Sequence, residues 1–266
     1  MENSSFRAVD PVRPAAGYIG GKRNLARRLV PLIDASQHDT YCEPFVGMGG
    51  IFLRRTRAPK LEVINDISGD VTTFFRILQR HYVPFLDFLR FQITSRREFE
   101  RLSATDPSTL TDIERAARFL YLQRTAFGGK VVGRTFGVAT ERPGQFDVTR
   151  LQPVLEALHE RLAGVVVECL PYAELIRRYD RPATLFYLDP PYSGSEDVYG
   201  PTFGPDDFER LSSALRSISG RFILSINDTP EIRSIFAGFT IRTVETTYSV
   251  SSKTRPPASE LIVQSL

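Results

Sequence analysis

The segment LFYLDPPY, Leu185–Tyr192, ends an apolar run abruptly in an acid, two prolines and a tyrosine. Residues 185–188 predict a short buried strand, and Pro190 and Pro191 must lie beyond its end because proline cannot donate to a sheet ladder. Asp189 is therefore placed at the carboxyl end of a strand. In an open α/β sheet that edge is where ligands bind, so Asp189 is a candidate site residue.

Length and composition predict an ordinary soluble protein with a full hydrophobic core. The chain has 266 residues, 42% of them hydrophobic, and a net charge of +3. No apolar stretch approaches the roughly 18 residues of a membrane span, and the first residues lack the apolar core of a signal peptide, so we expect a cytoplasmic protein with no membrane partner. The two cysteines and three histidines are too scattered to suggest a metal site.

Strand and helix patterns alternate in two separate blocks of the chain. The first block predicts a strand over 40–45, a glycine turn, a helix over 50–58 and a strand over 60–66. The second resumes near residue 164 with strands over 165–170, 183–189 and 221–228. We predict an α/β fold in which residues 1–69 and 164–266 form a doubly wound, Rossmann-like sheet domain, interrupted by a mostly helical insertion over 70–163.

Gly47 and Gly49 lie in the predicted turn after the first strand, within EPFVGMGG (43–50). Glycine lets the backbone approach a ligand closely, and a helix after the turn presents unpaired N–H groups. Asp66 ends the next strand about 20 residues later, where an acid can accept the ribose hydroxyls of a nucleoside. A purely structural turn and a helix-capping Asp66 are the alternatives for each feature alone. Together they favour an adenosine-bearing cofactor.

The residues Asp189, Pro190 and Tyr192 predict a pocket for a planar base that carries an amino group. The prolines make the turn rigid, so the Asp189 carboxylate and the Pro190 carbonyl can converge while the Tyr192 ring forms a wall. An exocyclic amine is a weak nucleophile because its lone pair is delocalised into the ring. Two acceptors for its hydrogens stabilise the positive charge that develops as the nitrogen attacks a methyl sulfonium.

Residues 115–150 are basic, with seven Arg or Lys against two acidic residues, and aromatic residues are interleaved among them. This pattern is typical of a nucleic-acid surface, and a solvated charged face is the alternative. Glycines punctuate short β-prone pieces there and predict a hairpin around Gly133 and Arg134.

The ordered set of motifs resembles the Dam-type (D12 class) DNA adenine N6-methyltransferase family over nearly the whole chain. In order, the motifs are GYIGGK (17–22), EPFVGMGG (43–50), IND (64–66), FLYLQRTAFGG (119–129), DPPY (189–192), ILSINDT (223–229) and YSVSSKTRPPASELIV (248–263). The resemblance implies a Rossmann-like, metal-free enzyme, monomeric in solution. It would transfer a methyl group from S-adenosylmethionine to N6 of an adenine flipped out of double-stranded DNA.

The resemblance also implies which residues form the site. The cofactor-binding positions are Tyr18, Lys22, Glu43, Phe45, Gly47, Gly49, Asp66, Tyr172 and Asp189, and the catalytic pocket comprises Asp189, Pro190, Pro191 and Tyr192. The DNA-binding positions are Arg124, Phe127, Lys130 and Arg134, the last three within the hairpin region Phe127–Val138. Pro171 stands where many relatives carry an acid for the cofactor's adenine, so we expect the backbone N–H of Tyr172 to serve instead.

Three alternatives to adenine methylation stay open on the sequence. The exocyclic amine of cytosine is chemically similar, so N4-cytosine methylation is the nearest rival, and RNA is an alternative substrate. A DNA-binding or cofactor-sensing relative without catalysis is the third. The order of the motifs favours adenine, and the intact DPPY and glycine turn argue for an active enzyme.

Overall fold

The computed structural model describes residues 6–18, 22, 24–131, 133–137, 141, 143–192, 203–246 and 258–265. The strands in these ranges are β1 (Arg7–Ala8), β2 (Thr40–Glu43), β3 (Arg57–Ala58), β4 (Leu61–Asn65), β5 (Val166–Glu168), β6 (Thr184–Leu188), β7 (Arg221–Asn227), β8 (Thr240–Thr246) and β9 (Ala258–Gln264). Several motif residues lie outside the described residues, namely Ile19, Gly20, Gly21, Val132, Val138 and positions 248–257 of the closing motif.

Seven of these strands form one sheet in the order β5-β4-β2-β6-β7-β9-β8, while β1 pairs with β3 in a small antiparallel ribbon. The pairs among β5, β4, β2, β6 and β7 are all parallel, and β9 runs antiparallel to both of its neighbours. The strand order reverses between β2 and β6, which is the topological switch point where open α/β sheets bind ligands. The predicted doubly wound sheet is confirmed.

Strand β6 is buried on both faces of the sheet, which explains the unbroken apolar run before Asp189. Leu185 and Tyr187 pack into one apolar cluster, whereas Phe186 and Leu188 pack into a second cluster on the opposite face. Alternate side chains of a strand point to opposite faces, so both layers of helices are held to the sheet by this strand.

Helices cover both faces of the sheet. Within the described ranges they are α1 (Ala26–Ala35), α2 (Gly69–Arg80), α3 (Tyr82–Leu89), α4 (Arg96–Ala104), α5 (Asp112–Thr125), α6 (Val148–Arg161), α7 (Tyr172–Tyr179), α8 (Pro205–Ser217) and α9 (Pro230–Ile235). Short 3₁₀ helices occur at Phe52–Arg54, Pro107–Thr109 and Phe127–Gly129. In the part of the chain that the structure describes, no helix is both long and apolar enough to cross a bilayer.

Helices α2 to α6 lie in the connection from β4 to β5, where an insertion is predicted. Their apolar side chains, such as Phe74 and Phe119, belong to the same buried cluster as Ile64 of β4. The helical segment thus packs continuously onto one face of the sheet. The boundaries at 69/70 and 163/164 stay a prediction.

The predicted helix over 50–58 is wrong. Only Phe52–Arg54 is helical, as a 3₁₀ turn, and the chain then turns extended at Arg55 and enters β3. The Arg55 side chain is fully buried and its Nη1 donates to Oε1 of Glu62 at 2.7 Å. This buried ion pair with β4, together with the ribbon of β1 and β3, overrides the local helical pattern.

The predicted hairpin around Gly133 is present as a short antiparallel pairing. Phe127 N donates to Thr135 O and Gly137 N donates to Thr125 O, each at 2.8 Å, on either side of a bridge between Ala126 and Phe136. Val132 in its loop lies outside the described residues. The pairing holds the 3₁₀ turn Phe127–Gly129 at the end of α5.

Candidate active site

Three acidic residues follow the carboxyl ends of neighbouring parallel strands. Glu43 ends β2, Asp66 follows β4 and Asp189 follows β6. All three line one cavity of about 930 Å³ at the switch point. The other lining residues include Tyr18, Lys22, Phe45, Gly47, Ser68, Arg124, Pro190, Pro191, Tyr192 and Phe203.

The turn after β2 requires glycine at two positions. Gly47 has φ +50° and a Cβ placed on it would lie 3.0 Å from Cε1 of Tyr18, so the Tyr18 ring covers this backbone directly. Gly49 has φ +75° and a Cβ there would lie 2.8 Å from Leu53 Cδ1. Positive φ disfavours residues with a side chain, and a Cβ at either position would also press on its neighbouring side chain. The turn is therefore a narrow backbone floor under Tyr18.

Asp66 is tied to this floor by backbone hydrogen bonds. Gly47 N donates to Oδ2 at 3.0 Å and Ser68 N donates to Oδ1 at 2.9 Å. Each carboxylate oxygen keeps a second acceptor site, because a carboxylate has about four lone-pair positions. Burial raises the pKa of the Asp66 carboxyl to about 6, although both backbone donors oppose the shift.

An aromatic wall lies beside the turn. The Phe45 ring centroid is 5.5 Å from that of Tyr172 and 5.8 Å from that of Phe203. Phe45 and Phe203 face the cavity, and Tyr172 packs behind them as the first residue of α7, after Pro171. The wall offers a flat apolar surface suited to an aromatic ring.

The Asp189 carboxylate is held by two side chains that both meet its Oδ1. Lys22 Nζ lies 3.0 Å away, and Ser225 Oγ donates at 3.3 Å. The Ser225 hydroxyl is in turn hydrogen-bonded to the Tyr187 hydroxyl at 2.8 Å. Lys22 Nζ also lies 4.0 Å from the centroid of the Tyr192 ring and donates to the Tyr192 hydroxyl.

A further carboxylate, Glu260 of β9, lies behind Lys22. Its Oε2 is 3.3 Å from Lys22 Nζ, and its side chain is only 2% exposed. One buried ammonium is thus shared between Glu260 and Asp189. Burial raises the pKa of Asp189 to about 6; Lys22 opposes this rise and Glu260 adds to it.

The pKa of the Glu43 carboxyl is raised further above its ordinary value than the pKa of Asp189. Burial raises the pKa of its carboxyl to about 8, against the hydrogen bond that Tyr41 donates to its Oε2 at 2.6 Å. The nearby Asp189 charge adds to the rise. Two neighbouring carboxyls therefore titrate in different pH ranges, a pattern typical of functional sites.

Residues 18–250 match the D12 class N6 adenine-specific DNA methyltransferase family. The chain belongs to this family.

Curated relatives of this D12 methyltransferase are similar over most of its length. It is 22% identical over 231 residues to the type II methyltransferase M.CviBI of Paramecium bursaria Chlorella virus NC1A, covering 86% of this chain and 88% of the relative. It is also 22% identical over 273 residues to the type II methyltransferase M1.LlaDCHI of Lactococcus lactis subsp. cremoris, covering 95% of each. The DNA N-6-adenine-methyltransferase of Escherichia phage P1 is 26% identical over 266 residues, covering 91% of this chain and 34% of the relative.

Most of the predicted cofactor and catalytic residues of this D12 methyltransferase meet in the one cavity. Gly49 and Tyr172 support its walls from behind. The roles of all the predicted cofactor-binding and catalytic residues stay predictions. No group of three or more His, Cys, Asp or Glu suited to a metal ion occurs in the described ranges.

The predicted DNA-binding residues divide between the cavity and the turn at the end of α5. Arg124 lines the cavity and donates to the carbonyls of Ala15 at 2.5 Å and Gln145 at 3.0 Å. Phe127 is 55% exposed and Lys130 is exposed, whereas Arg134 is half-buried and donates to Lys130 O at 3.1 Å.

Three further residues organise the site of the D12 methyltransferase, and none of them is among the predicted site residues. Asn65 Nδ2 donates to Pro44 O at 2.9 Å and Leu170 O at 3.0 Å, which ties the ends of β2 and β5 together. Ser225 and Glu260 support Asp189 and Lys22, as described above. A serine and an acid inside apolar strands were the available signal, because buried polar groups need partners.

Proposed function

We propose that this chain transfers a methyl group from S-adenosylmethionine to N6 of an adenine in double-stranded DNA, after the base leaves the stack. The observation that carries the proposal is the position of Asp189 and the Pro190–Pro191 turn at the switch point, in one cavity with the glycine turn and Asp66. The predicted pocket for the target base, at Asp189 and the two prolines, therefore lies beside the predicted site for the cofactor's nucleoside, at the glycine turn and Asp66.

The donor set of the cavity fits S-adenosylmethionine. Asp66 would accept the ribose hydroxyls through its two remaining acceptor positions, and Phe45 would pack against the adenine ring. The Tyr172 N–H, in the first turn of α7, would serve the ring where Pro171 offers no acid. When bound, the cofactor supplies an electrophilic methyl group on a sulfonium.

The Asp189 carboxylate would orient the amine of the target base. Because Lys22 and Ser225 both meet Oδ1, Oδ2 is the oxygen proposed to accept from the amine. The Pro190 carbonyl would accept the second hydrogen, and the Tyr192 ring would form one wall of the base pocket. Two acceptors stabilise the positive charge that develops on the nitrogen during attack.

Proton removal needs no dedicated base before methyl transfer. The neutral amine would attack the methyl carbon with its lone pair as the bond from that carbon to the sulfonium sulfur breaks, which leaves S-adenosylhomocysteine as the product. One proton of the methylated amine would then pass to water or to Asp189. The positive charge of Lys22 favours the ionised Asp189 that accepts the amine hydrogens. Electrostatics and positioning would thus supply the catalysis.

The helical segment 70–163 is proposed as the insertion that recognises double-stranded DNA. The protein is proposed to act as a monomer. Arg124, Lys130 and Arg134 supply positive charge for phosphates and base edges, and Phe127 exposes a ring that can enter a base step. Residues 1–69 and 164–266 would form the catalytic domain.

A methyl-transfer assay tests the proposal. Unmethylated duplex DNA, single-stranded DNA and RNA are each incubated with the protein and methyl-labelled S-adenosylmethionine, and the nucleosides are then identified by mass spectrometry. We expect N6-methyladenine in duplex DNA. N4-methylcytosine, label in RNA alone, or no incorporation would each refute the proposal and support one of its alternatives.

A further inference from the structure

Gln123, near the end of α5, joins two backbone segments that are far apart in the chain. The residue is 1% exposed, and its Nε2 donates to Gly17 O at 2.9 Å and to Gly129 O at 2.6 Å. An amide nitrogen carries two hydrogens, so both are used by these carbonyls. The side chain therefore connects the N-terminal segment directly with the turn Phe127–Gly129.

The two segments also touch without the help of Gln123. Gly129 has φ +67°, and a Cβ placed on it would lie 3.1 Å from both the carbonyl carbon and the oxygen of Gly17. A side chain at position 129 would be strained by the positive φ and would press on the backbone of Gly17. The backbone of the turn thus rests on the backbone of Gly17.

From Gly17 the contact continues into the cofactor turn. Tyr18 follows Gly17 and covers Gly47, whose N–H donates to Asp66 at 3.0 Å. On the other side, the ring of Phe127 is exposed on the same turn that Gln123 holds. A continuous set of contacts therefore runs from an exposed surface of the insertion to the floor of the cavity.

We propose that Gln123 is a positioning residue that couples DNA binding at the turn Phe127–Gly129 to cofactor binding beneath Tyr18. The inference rests on the proposed function. A duplex that holds the turn would also hold Gly17 through the Gln123 amide, and the next residue, Tyr18, covers the Gly47 floor of the cofactor site, so both ligands would act on one connected backbone segment. Linkage requires that each ligand raise the affinity for the other by the same factor.

Calorimetry measures this factor as the ratio of the S-adenosylhomocysteine affinities with and without a short duplex. The duplex is unmethylated and carries the recognition site, which is first identified by mapping where the enzyme methylates DNA. For the wild type we expect the duplex to tighten binding by about 5-fold or more. In Gln123→Leu the two carbonyls lose their donor, and we expect the factor to fall close to one.

Gln79→Leu is the matched control. Gln79 Nε2 also donates to two carbonyls, those of Leu162 and Val165, both at 2.8 Å, but it joins α2 to the end of α6. A merely structural loss of the two hydrogen bonds to carbonyls would affect both variants alike. Gln123→Leu also removes an acceptor 3.5 Å from Nη2 of Arg134, a contact that the glycine variants below leave in place. We expect Gln79→Leu to keep the wild-type coupling factor.

A second pair of variants tests the contact if Gln123→Leu does not fold. Gly129→Ala places a methyl group against Gly17, whereas Gly128→Ala has the same φ of +67° and no atom within 4 Å of its Cβ position. We expect only Gly129→Ala to reduce the coupling.

Three results would overturn this inference and leave the proposed function untouched. They are a wild-type coupling factor of one, the wild-type coupling factor retained in Gln123→Leu and Gly129→Ala, and equal losses of coupling in the control variants. A wild type that binds no S-adenosylhomocysteine would overturn the proposed function as well.

Discussion

The side-chain nitrogen of Lys22 lies 3.0 Å from Oδ1 of Asp189, in a cavity where the lysine side chain is only 3% exposed. An opposite charge at this distance favours the ionised form of a carboxyl group, and burial disfavours it. The pair thus keeps a buried Asp189 available as an acceptor while its second oxygen can face a substrate.

Asp189→Ala should abolish methyl transfer and leave the fold intact. The residue ends a strand at the cavity and is not part of an apolar cluster, whereas loss of an acceptor for developing charge typically costs at least about 100-fold in rate. Single-turnover methyl transfer measures the loss, and circular dichroism measures the fold.

Asp206→Ala is the control for that variant, because Asp206 is exposed in the first turn of α8. Its turnover should equal that of the wild type. Turnover of Asp189→Ala above about a tenth of wild type would contradict the assigned role.

Lys22→Met should move the acid limb of the pH profile of kcat/KM to higher pH. Only the carboxylate form of Asp189 accepts the amine, so activity is present above its pKa, about 6, and is lost as the pH falls through it. Without the ammonium this pKa rises, and we expect the limb to move by about one pH unit. Glu43, with a pKa of about 8, titrates in a separate range.

Lys60→Met provides the comparison, since Lys60 is exposed and pairs with Asp39 at 3.3 Å. Its profile should superimpose on that of the wild type. Identical acid limbs in Lys22→Met and the wild type would show that the ammonium does not control the ionisation of Asp189.

Asp66→Ala should weaken S-adenosylmethionine binding by roughly 1–3 kcal/mol, because the ribose hydroxyls lose their acceptor. Asp180→Ala is a close control. Asp180 also accepts two backbone N–H bonds, from Ser219 at 2.9 Å and Gly220 at 2.8 Å, and it lies at the end of α7. Calorimetry should show a loss for Asp66→Ala alone; equal losses would mean that the effect is structural.

Lys130→Ala should weaken binding to all duplexes alike. Its exposed ammonium is suited to a phosphate, so removing it should also flatten the dependence of log K on log salt concentration by about one unit. Titrations of several duplexes at several salt concentrations measure both effects. Discrimination that changes between sequences would assign Lys130 to a base instead.

Arg134→Ala should relax the preference at one base pair by roughly 1–3 kcal/mol, because a guanidinium can contact a guanine edge through two hydrogen bonds. Binding to a target duplex and to its single-base variants measures the preference. A uniform loss of affinity with an unchanged ranking of sites would make Arg134 a phosphate contact.

The positions of β2, β4, β5, β6 and β7 along the chain, and the acids at the ends of β2, β4 and β6, could be predicted from the sequence because these signals are local. An apolar run closed by Asp189 and two prolines identifies a strand end wherever the strand lies. The same holds for Gly47 and Asp66, which follow β2 and β4, two strands that lie within about 25 residues of each other in the chain. The ordered motifs also indicated the D12 family, which the family match confirms.

The tertiary structure alone decided the partners of those residues. Glu260 reaches Lys22 from a strand near the other end of the sequence, Gln123 reaches Gly17 across 106 positions, and Arg161 reaches Glu62 across 99 positions. Local propensities are worth less than about 1 kcal/mol per residue, so a buried charge or amide that must find a partner outweighs them. Where that partner lies depends on the packing of the whole chain, which no short segment contains.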